Sequence, residues 1–427
     1  MKDTDPLPRF VRVRQNFPPG PALDRRRAIA TEFGKLRPRI RPGAKIAVGV
    51  GSRGITGLAE IVGAVIAELK AAGARPFIFP AMGSHGGATP EGQGGLLAGY
   101  GVTAAAMGVP VLASLEVVQV GQTEDKVPVF ASVEALASDG IILVNRIKPH
   151  TDFQGEIGSG LLKMSVVGLG KRAGAAAMHL AASEFGHERA IRSMAGVLIR
   201  QSPLLGGFAI LENQFHDTAK IVALPKEAME TAEDALLVEA RRLMPLLPFD
   251  EIDLLIVDQI GKNISGTGMD PNVIMRSIDG YSSLLRRDGR PAPYIRRIFV
   301  RGLTEETHGN AIGIGLADVT TTRLAKAMDV RISFLNAMTA LTPQSAKLPV
   351  YFDTDREAIE RTLATLPLGR PADARIVRIL DTLSLAELAV SVPLWEQAKS
   401  QPSLEAMGEA APAEFDAEGN LRPYFRP

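Results

Sequence analysis

The sequence predicts an α/β protein with two domains, each built on a mainly parallel sheet. Short apolar segments alternate with amphipathic ones in both halves of the chain, and a proline-containing break separates the halves. Alternating strands and helices favour parallel sheets with crossover helices on their faces. At 427 residues the chain also exceeds the size at which a single core usually stops growing, so two domains are expected.

The clearest strand–helix–strand unit lies near the start of the chain. Residues 45–52 (KIAVGVGS) form a continuous apolar run that predicts a buried strand, and residues 75–81 (RPFIFPA) predict the next strand. Between them, residues 55–73 have the periodicity of an amphipathic helix and end in glycine. These three segments predict a βαβ unit.

Further elements follow the same alternation. Strands are expected at residues 140–147 and 205–211, and a charged helix is expected at residues 226–244. After LMPLLPFDE a new series begins, with strands at EIDLLIVDQIG and YIRRIFVRG and a helix at residues 321–328. The chain has no internal repeat, and its tail after Pro402 is expected to be loosely ordered.

The break near Pro248 sets the predicted domain boundary. The N-terminal domain would span residues 1–247, with the tail at 398–427 as a candidate addition to it. The C-terminal α/β domain would span residues 248–397.

Composition narrows the class of partner. The net charge of +1 gives no electrostatic basis for binding nucleic acid or acidic membranes, so a small-molecule partner is expected. The first residues lack a signal peptide's apolar core and no run could span a bilayer, so the prediction is a cytoplasmic protein. Because the chain has no cysteine, a soft metal ligand would have to come from a bound cofactor.

Ligands of open α/β sheets bind beyond the carboxyl ends of strands, and three loops at such positions stand out. The first, GVGSRG (residues 49–54), fits a dinucleotide-binding pattern, but the second strand ends in FIFPAMGSH without the acidic residue that an NAD site needs. The glycines are therefore better explained by a tight turn. Arg53 is well placed to bind an anion.

The second loop, GSHGGATPEG (residues 83–92), contains His85. Thr89, Pro90 and Glu91 have the sequence of a helix start, as N-cap, N1 and N2. Few apolar neighbours surround the His85 imidazole, so proton transfer is favoured over a role as a packed core histidine.

The third loop and the segment after it, KPHTDFQGEIGSGLLKMSVVGLGKRAGAAAMH, hold His150, Lys163 and His179. Apolar neighbours suggest partial burial of Lys163, which would suit a nucleophile or a covalent anchor; the alternative is a solvated surface lysine. A zinc site at His150, Asp152, His179 and His187 is a further alternative, although it matches no compact zinc spacing. His187, His216 and His308 are left as structural or exposed.

Together, GSR, GSHGGATPE, KPH, GLLKMSVVGLGK and AAAMH resemble motifs of the nickel-dependent lactate racemase family, in the same order and spacing. The sixteen-residue step from Lys163 to His179 is the most specific match. The resemblance implies a nickel pincer nucleotide, the nickel complex of pyridinium-3-thioamide-5-thiocarboxylic acid mononucleotide, whose sulfurs and pyridine carbon ligate the metal. Lys163 would anchor it and His179 would complete the nickel site.

By the same resemblance, Ser52, Gly160 and Gly168 would contribute to the cofactor site, which would lie in the first domain and face the interdomain cleft. Gly155, Gly158 and Gly160 would let the backbone approach the bulky cofactor. His85 and His150 would act as an acid/base pair, and Arg53 would contribute to catalysis and bind the substrate. Cofactor-making machinery would be needed as a partner.

The implied activity is racemisation or epimerisation of a 2-hydroxy acid, by hydride transfer to and from the cofactor through a 2-keto intermediate. General acid–base catalysis supplies about 10²- to 10⁴-fold per group, whereas enzymes commonly lower barriers by about 8–23 kcal/mol, so protein groups alone would fall short. The alternatives are an NAD- or metal-dependent oxidoreductase or hydrolase, and a non-catalytic nickel-nucleotide-binding protein.

The sequence departs from the family where the substrate would bind. Val50 and Gly51 stand where an acidic residue is expected shortly before the arginine, and Met275 replaces a polar contact, so the substrate is predicted to differ from lactate. Asp270 and Asn272 are kept and are expected to bind the substrate. Replacement donors are expected from Lys262, Asn263, Ser265 and Thr267, although the stretch with Ser265 and Thr267 could simply be a turn. These contacts would suit a longer polyhydroxy or dicarboxylic acid.

Overall fold

The computed structural model describes residues 7–18, 20, 23–51, 54–151, 153, 155–277 and 293–425. The chain forms two units. The first, Pro19–Met244, is called the central unit, and the second, Met1–Pro18 with Pro245–Pro427, is called the flanking unit.

The central unit contains a five-stranded sheet in the order β3-β2-β6-β7-β8 and a separate β4-β5 hairpin. Its strands are β2 (Lys45–Val50), β3 (Arg75–Pro80), β4 (Val117–Gln122), β5 (Pro128–Ser132), β6 (Gly140–Arg146), β7 (Leu204–Glu212) and β8 (Thr218–Pro225). Its helices are α1 (Arg25–Phe33), α2 (Leu58–Ala71), α3 (Pro90–Gly99), α4 (Ala104–Met107), α5 (Val133–Leu136), α6 (Leu161–Lys163), α7 (Lys171–Phe185), α8 (His187–Gln201) and α9 (Met229–Leu243).

The first four strands of this sheet run parallel and only β8 is antiparallel, to β7. The predicted strands at 45–52, 75–81, 140–147 and 205–211 are confirmed as β2, β3, β6 and β7. Their apolar runs follow from burial on both faces, since two hydrophobic clusters enclose the sheet. Helix α2 begins at Leu58, later than predicted, because Gly57 before it has a left-handed backbone (φ +74°).

The flanking unit contains an eight-stranded sheet in the order β12-β11-β10-β9-β13-β14-β1-β15. Its strands are β1 (Phe10–Gln15), β9 (Glu251–Val257), β10 (Tyr294–Val300), β11 (Val319–Thr321), β12 (Val350–Phe352), β13 (Ile376–Ile379), β14 (Glu387–Ser391) and β15 (Leu404–Ala406). Its helices are α10 (Pro271–Ile274), α11 (Thr322–Ala327), α12 (Val330–Thr339), α13 (Asp355–Leu363) and α14 (Val392–Ala398). Strands β12 to β13 run parallel, and β14, β1 and β15 add antiparallel pairs.

The ends of the chain correct two expectations. Residues 1–18 were assigned to the first domain, yet β1 pairs with β14 and β15, and Val11 and Val13 pack into the core of the flanking unit. The tail also belongs to the flanking unit, and it is ordered: Leu421 is buried and its carbonyl accepts a 2.6 Å hydrogen bond from Arg301. The crossover after the central unit, at Pro245, lies close to the predicted boundary at Pro248.

The described helices include none with the length and apolar character needed to cross a lipid bilayer.

Candidate functional site

Three neighbouring parallel strands, β3, β2 and β6, deliver the three candidate loops to one edge of the central sheet. Ser52 and Arg53 of the first loop lie outside the described residues, so their roles stay predictions. A Cβ on Gly51, just before them, would lie 2.9 Å from Asn145 Oδ1 and 3.5 Å from Met164 Cε. The first loop therefore packs against the residue that follows Lys163, and its glycine serves close packing.

The third loop brings His150 onto Lys163. Lys148 and Ser159 exchange backbone hydrogen bonds of 2.9 and 2.8 Å, which closes the loop at its base. His150 is 9% exposed, and its Nε2 contacts the Nζ atom of Lys163 at hydrogen-bonding range. An imidazole and an amine thirteen residues apart in sequence thus form one pair. Lys163 is half-buried, as its apolar neighbours predicted.

Phe153 extends this pair into an aromatic cluster. Its ring stacks on His150 with centroids 4.4 Å apart and on His187 with centroids 4.6 Å apart, and the two imidazoles are 6.1 Å from each other. Beyond the cluster lies an open cavity of about 830 Å³ lined by Phe153, Phe185, His187, Arg189 and Arg192, among others. The sequence predicts no functional role for His187, because this histidine lacks glycine-rich neighbours. The feature that could have pointed to it is its position at the start of helix α8.

The second loop, with His85, lies along the segment between Lys163 and His179. A Cβ on Gly83 would lie 2.9 Å from Val167 Cγ1 and 3.0 Å from Ala175 Cβ. Val167 follows Lys163 by one turn, and Ala175 precedes His179 by one turn of α7. The contact therefore sets the His85 loop between the predicted anchor and the predicted metal ligand. Both His85 and His179 are half-buried.

The helix start predicted after His85 is confirmed. The Thr89 side chain accepts a 3.0 Å hydrogen bond from the backbone N–H of Gly92, and Pro90 occupies the first position of α3. Within the same helix, Gln93 is buried and its side-chain amide donates to the carbonyl of Gly83 at 3.0 Å. Helix α3 therefore holds the glycine-rich loop from the other side.

Lys171 is a buried cation that the sequence did not single out. Its side chain is fully buried, its ammonium donates to the carbonyl of Pro80, and it lies 5.2 Å from the centre of the Phe79 ring. Burial lowers its pKa to about 8, against a smaller opposing effect of Glu134. Because Pro80 ends β3, Lys171 ties the start of the His85 loop to the start of the His179 helix.

Glu233 is a second buried charged residue, and it holds the backbone next to Lys163. This fully buried carboxyl accepts a 3.0 Å hydrogen bond from the backbone N–H of Leu162. Burial raises its pKa to about 7, while hydrogen bonds from the N–H groups of Leu162 and Leu161 act against the rise. The carboxyl thus satisfies the first turn of the helix that carries Lys163.

The glycines around Lys163 lie close to other groups of the protein. A Cβ on Gly160 would lie 2.1 Å from Glu233 Oε1, and Gly155 and Gly158 approach Glu188 and the Lys148 backbone in the same way. A Cβ on Gly168 would lie 3.0 Å from the carbonyl oxygen of Ala81. These glycines accommodate the protein's own groups, so they give no independent support to a cofactor site, and the roles of Gly160 and Gly168 stay predictions.

The predicted substrate residues of the flanking unit engage one another locally. Lys262 Nζ donates to the carbonyl of Gly266 at 2.8 Å, and Asn263 Oδ1 accepts from Thr304 at 2.7 Å. Asp270 is buried and accepts from the backbone and side-chain nitrogens of Asn272, at 3.0 and 2.9 Å.

Ser265 and Thr267 are also buried, with their hydroxyls 3.1 Å apart, which favours the turn over the role of substrate donors.

Across the described ranges, no three His, Asp or Glu side chains come together in a group that could hold a metal ion. Asp152, one of the residues of the zinc alternative, lies outside the described residues.

Comparison with known proteins supports the fold. No protein-family model and no curated protein sequence matches the chain. Among solved structures, it is similar to the lactate racemase apoprotein from Thermoanaerobacterium thermosaccharolyticum, with a TM-score of 0.50 and 11% identity over 88% of this chain and 99% of that chain. At this identity the likeness shows the fold alone, and it confirms the predicted α/β class.

Proposed function

We propose that the protein is a nickel pincer nucleotide-dependent racemase or epimerase that acts on a 2-hydroxy acid other than lactate. One observation carries the proposal. His150 contacts Lys163, and the loop with His85 packs between the turn that follows Lys163 and the turn that precedes His179. The loops with His85 and His150 follow adjacent parallel strands of the sheet, at the edge where α/β folds bind ligands, which supports the proposal.

The residues fit the cofactor that the sequence motifs imply. Lys163 offers a half-buried amine for a covalent link, and His179 offers an imidazole on a regular helix. The chain has no cysteine, so sulfur ligands for nickel would come from the nucleotide. When bound, the nickel pincer nucleotide supplies the hydride-accepting centre that side chains cannot provide.

The contact between Lys163 and His150 couples loading to catalysis. The Nζ atom of Lys163 and the Nε2 atom of His150 are in hydrogen-bonding contact. A covalent link through Nζ would convert the amine and release Nε2 from this contact. His150 could then accept the hydroxyl proton of the substrate, while His85 serves the opposite face.

Substrate recognition is proposed for residues that the sequence singles out. Arg53 would bind the carboxylate, and Lys262, Asn263, Asp270 and Asn272 would contact the rest of the substrate. Val50, Gly51 and Met275 replace polar groups that the lactate-specific pattern would have, so a longer hydroxy acid with its own polar groups is the proposed substrate. The protein would depend on cofactor-making machinery in the cell.

Nickel content tests the cofactor. Protein produced in cells that make the nucleotide is dialysed, and its nickel is measured for the wild type, Lys163→Ala and the control Lys35→Ala, which removes an exposed lysine. The proposal expects nickel in the wild type and the control and its loss from Lys163→Ala. Equal nickel in all three, or none in any, would exclude the proposed anchoring.

Activity is tested separately with a panel of 2-hydroxy acids carrying deuterium at C2. Hydride transfer predicts an inverted product that keeps the deuterium, whereas deprotonation predicts exchange with solvent. Release of a ketone in the presence of an external acceptor would favour a redox enzyme instead. Loaded protein that turns over no acid on the panel would favour the non-catalytic alternative.

A further inference from the structure

Helix α12 of the flanking unit turns its large apolar side chains toward the solvent instead of toward the core of its own unit. It buries the small residues Ser333 and Ala337 and exposes Phe334, Leu335 and Met338 by 51%, 68% and 63%. Surface helices normally turn their large apolar residues toward the core. Phe334 and Met338 are four residues apart, so they share one face, with Leu335 beside them.

The chain after the helix also exposes large apolar side chains. Leu341 and Leu348 are exposed, and so are Val350 and Tyr351 on β12. Strand β12 forms one edge of the eight-stranded sheet and, within the described part of the chain, pairs only with β11. The name α12 face is used for the side chains of Val330, Ile332, Phe334, Leu335, Met338, Leu341, Leu348, Val350 and Tyr351.

The area of the α12 face is too large for an ordinary monomer surface. At their exposures these side chains present on the order of 100 Å² each, so the face amounts to roughly 800–900 Å². The largest apolar patch on a typical monomer is about 300–600 Å². A standard protein–protein interface buries about 800 Å² on each partner.

We propose that the α12 face is the surface through which two copies of this chain form a dimer with two-fold symmetry. A two-fold interface brings the same patch of each copy together, so an apolar face is its own complement. Arg331, Lys347 and Asp353 are exposed nearby, and their mixed charges suit a copy of the same surface better than a partner of one sign. The edge strand would gain a cover in the same contact. This inference is independent of the proposed catalytic function.

Sedimentation equilibrium tests the dimer. The full chain is compared with Leu335→Glu and Met338→Glu, and Val238→Glu serves as a matched control because Val238 is exposed by 45% on helix α9 of the central unit. We expect a dimer for the wild type and the control, and a dissociation constant raised about 100-fold or more in both α12 variants, since each would bury a charge. Circular dichroism checks that all variants are folded.

A wild type that stays monomeric at high micromolar concentration would overturn the proposal, as would a dimer unaffected by both substitutions. Association of a monomeric protein with lipid vesicles through the same residues would also overturn it, in favour of a membrane contact.

The absence of cysteine allows a second, independent test. Single cysteines are introduced at Leu335, Met338 or Val350, with Val238→Cys as the control, and the proteins are treated with a short bifunctional maleimide. Because residues near a two-fold axis face their own copies, at least one α12 position is expected to give a covalent dimer and the control none. Failure at all three positions would contradict the proposal.

Discussion

The flanking unit contains a network of paired buried charges, whereas two of the most deeply buried charges of the central unit are Lys171 and Glu233. In the flanking unit, Arg301 lies between Asp258 and Asp355, at 2.8 and 2.7 Å, and Arg378 adds a second contact to Asp258 at 2.8 Å. In the central unit, Lys171 and Glu233 are fully buried, and among the described residues neither forms an ion pair. Glu233 Oε1 also lacks a hydrogen-bond partner there.

The paired charges of the flanking unit have a structural role, whereas Lys171 and Glu233 lie where they can support the candidate site. Paired charges in the flanking unit join neighbouring strands and the tail, so each offsets the desolvation of another. Lys171 and Glu233 bear that cost without a partner ion, which is why their pKa values shift toward neutrality. Glu233 accepts a hydrogen bond from the backbone next to Lys163, and Lys171, at the start of the helix of His179, donates one to the carbonyl of Pro80 before the His85 loop. We infer that they position the site.

Breaking the paired network should have the largest effect on stability. Asp355 is fully buried and contacts Arg301 and Arg323, so Asp355→Ala would leave the buried Arg301 with one carboxylate partner, Asp258, instead of two. We expect the free energy of unfolding to fall by about 3–5 kcal/mol, measured by urea denaturation. Asp373→Ala, which removes an exposed partner of Arg370, is the control and should leave stability nearly unchanged. Equal losses in the two variants would contradict the assigned role of burial.

The unpaired lysine should make stability rise with pH. The pKa of Lys171 is about 8 in the folded protein and 10.5 as its ordinary value, so the unfolded chain binds more protons between these limits. The free energy of unfolding should therefore increase by about 3 kcal/mol from pH 8 to 10.5, relative to Lys171→Met. Urea denaturation of both proteins at the two pH values measures this difference, and a constant difference would count against a buried, strained ammonium.

The unpaired glutamate should have the reverse dependence. The pKa of Glu233 is about 7 in the folded protein and 4.5 as its ordinary value, so the folded protein binds more protons between these limits. Relative to Glu233→Gln, the wild type should lose about 3 kcal/mol of stability from pH 4.5 to 7. Thermal or urea unfolding across this range checks the sign, and a wild type that gains stability over Glu233→Gln would refute it.

Removing an uncharged hydrogen bond near the candidate site should have the smallest effect on stability. Thr89→Ala removes the N-cap of α3 and should cost about 1 kcal/mol at any pH, whereas Thr89→Ser keeps the hydroxyl and should cost less. The loss of stability in Thr89→Ala gives a reference for the larger losses expected when charged groups are changed. A pH-dependent loss in Thr89→Ala would show that the cap is coupled to a titrating group, contrary to the distinction between neutral and charged supports.

The local features of the fold were predictable, and the long-range ones were not. The strands β2, β3, β6 and β7 have unbroken apolar runs that indicate burial without knowledge of the fold. Strand β1, by contrast, pairs with β14 some 375 residues later, and no local pattern reveals that partner. Because β1 pairs with β14 and β15, the N-terminal strand belongs to the flanking unit, and the start of the tail is held in the same sheet.

At the site, residue types were easier to predict than their supports. His85, His150 and Lys163 stand in glycine-rich loops after strands, which sequence alone can recognise. Lys171 and Glu233 are ordinary charges in sequence, and only tertiary packing buries them. His187 joins the site through Phe153, a contact that depends on how the third loop folds.

The most direct test of the central claim is to map the covalent modification by peptide mass spectrometry, on protein made in cells that produce the cofactor. We predict a nucleotide-sized adduct on the peptide that contains Lys163, and none on the neighbouring buried Lys171. An unmodified Lys163 in nickel-containing protein, or an adduct located at another lysine, would contradict the claim that Lys163 anchors the cofactor beside His150.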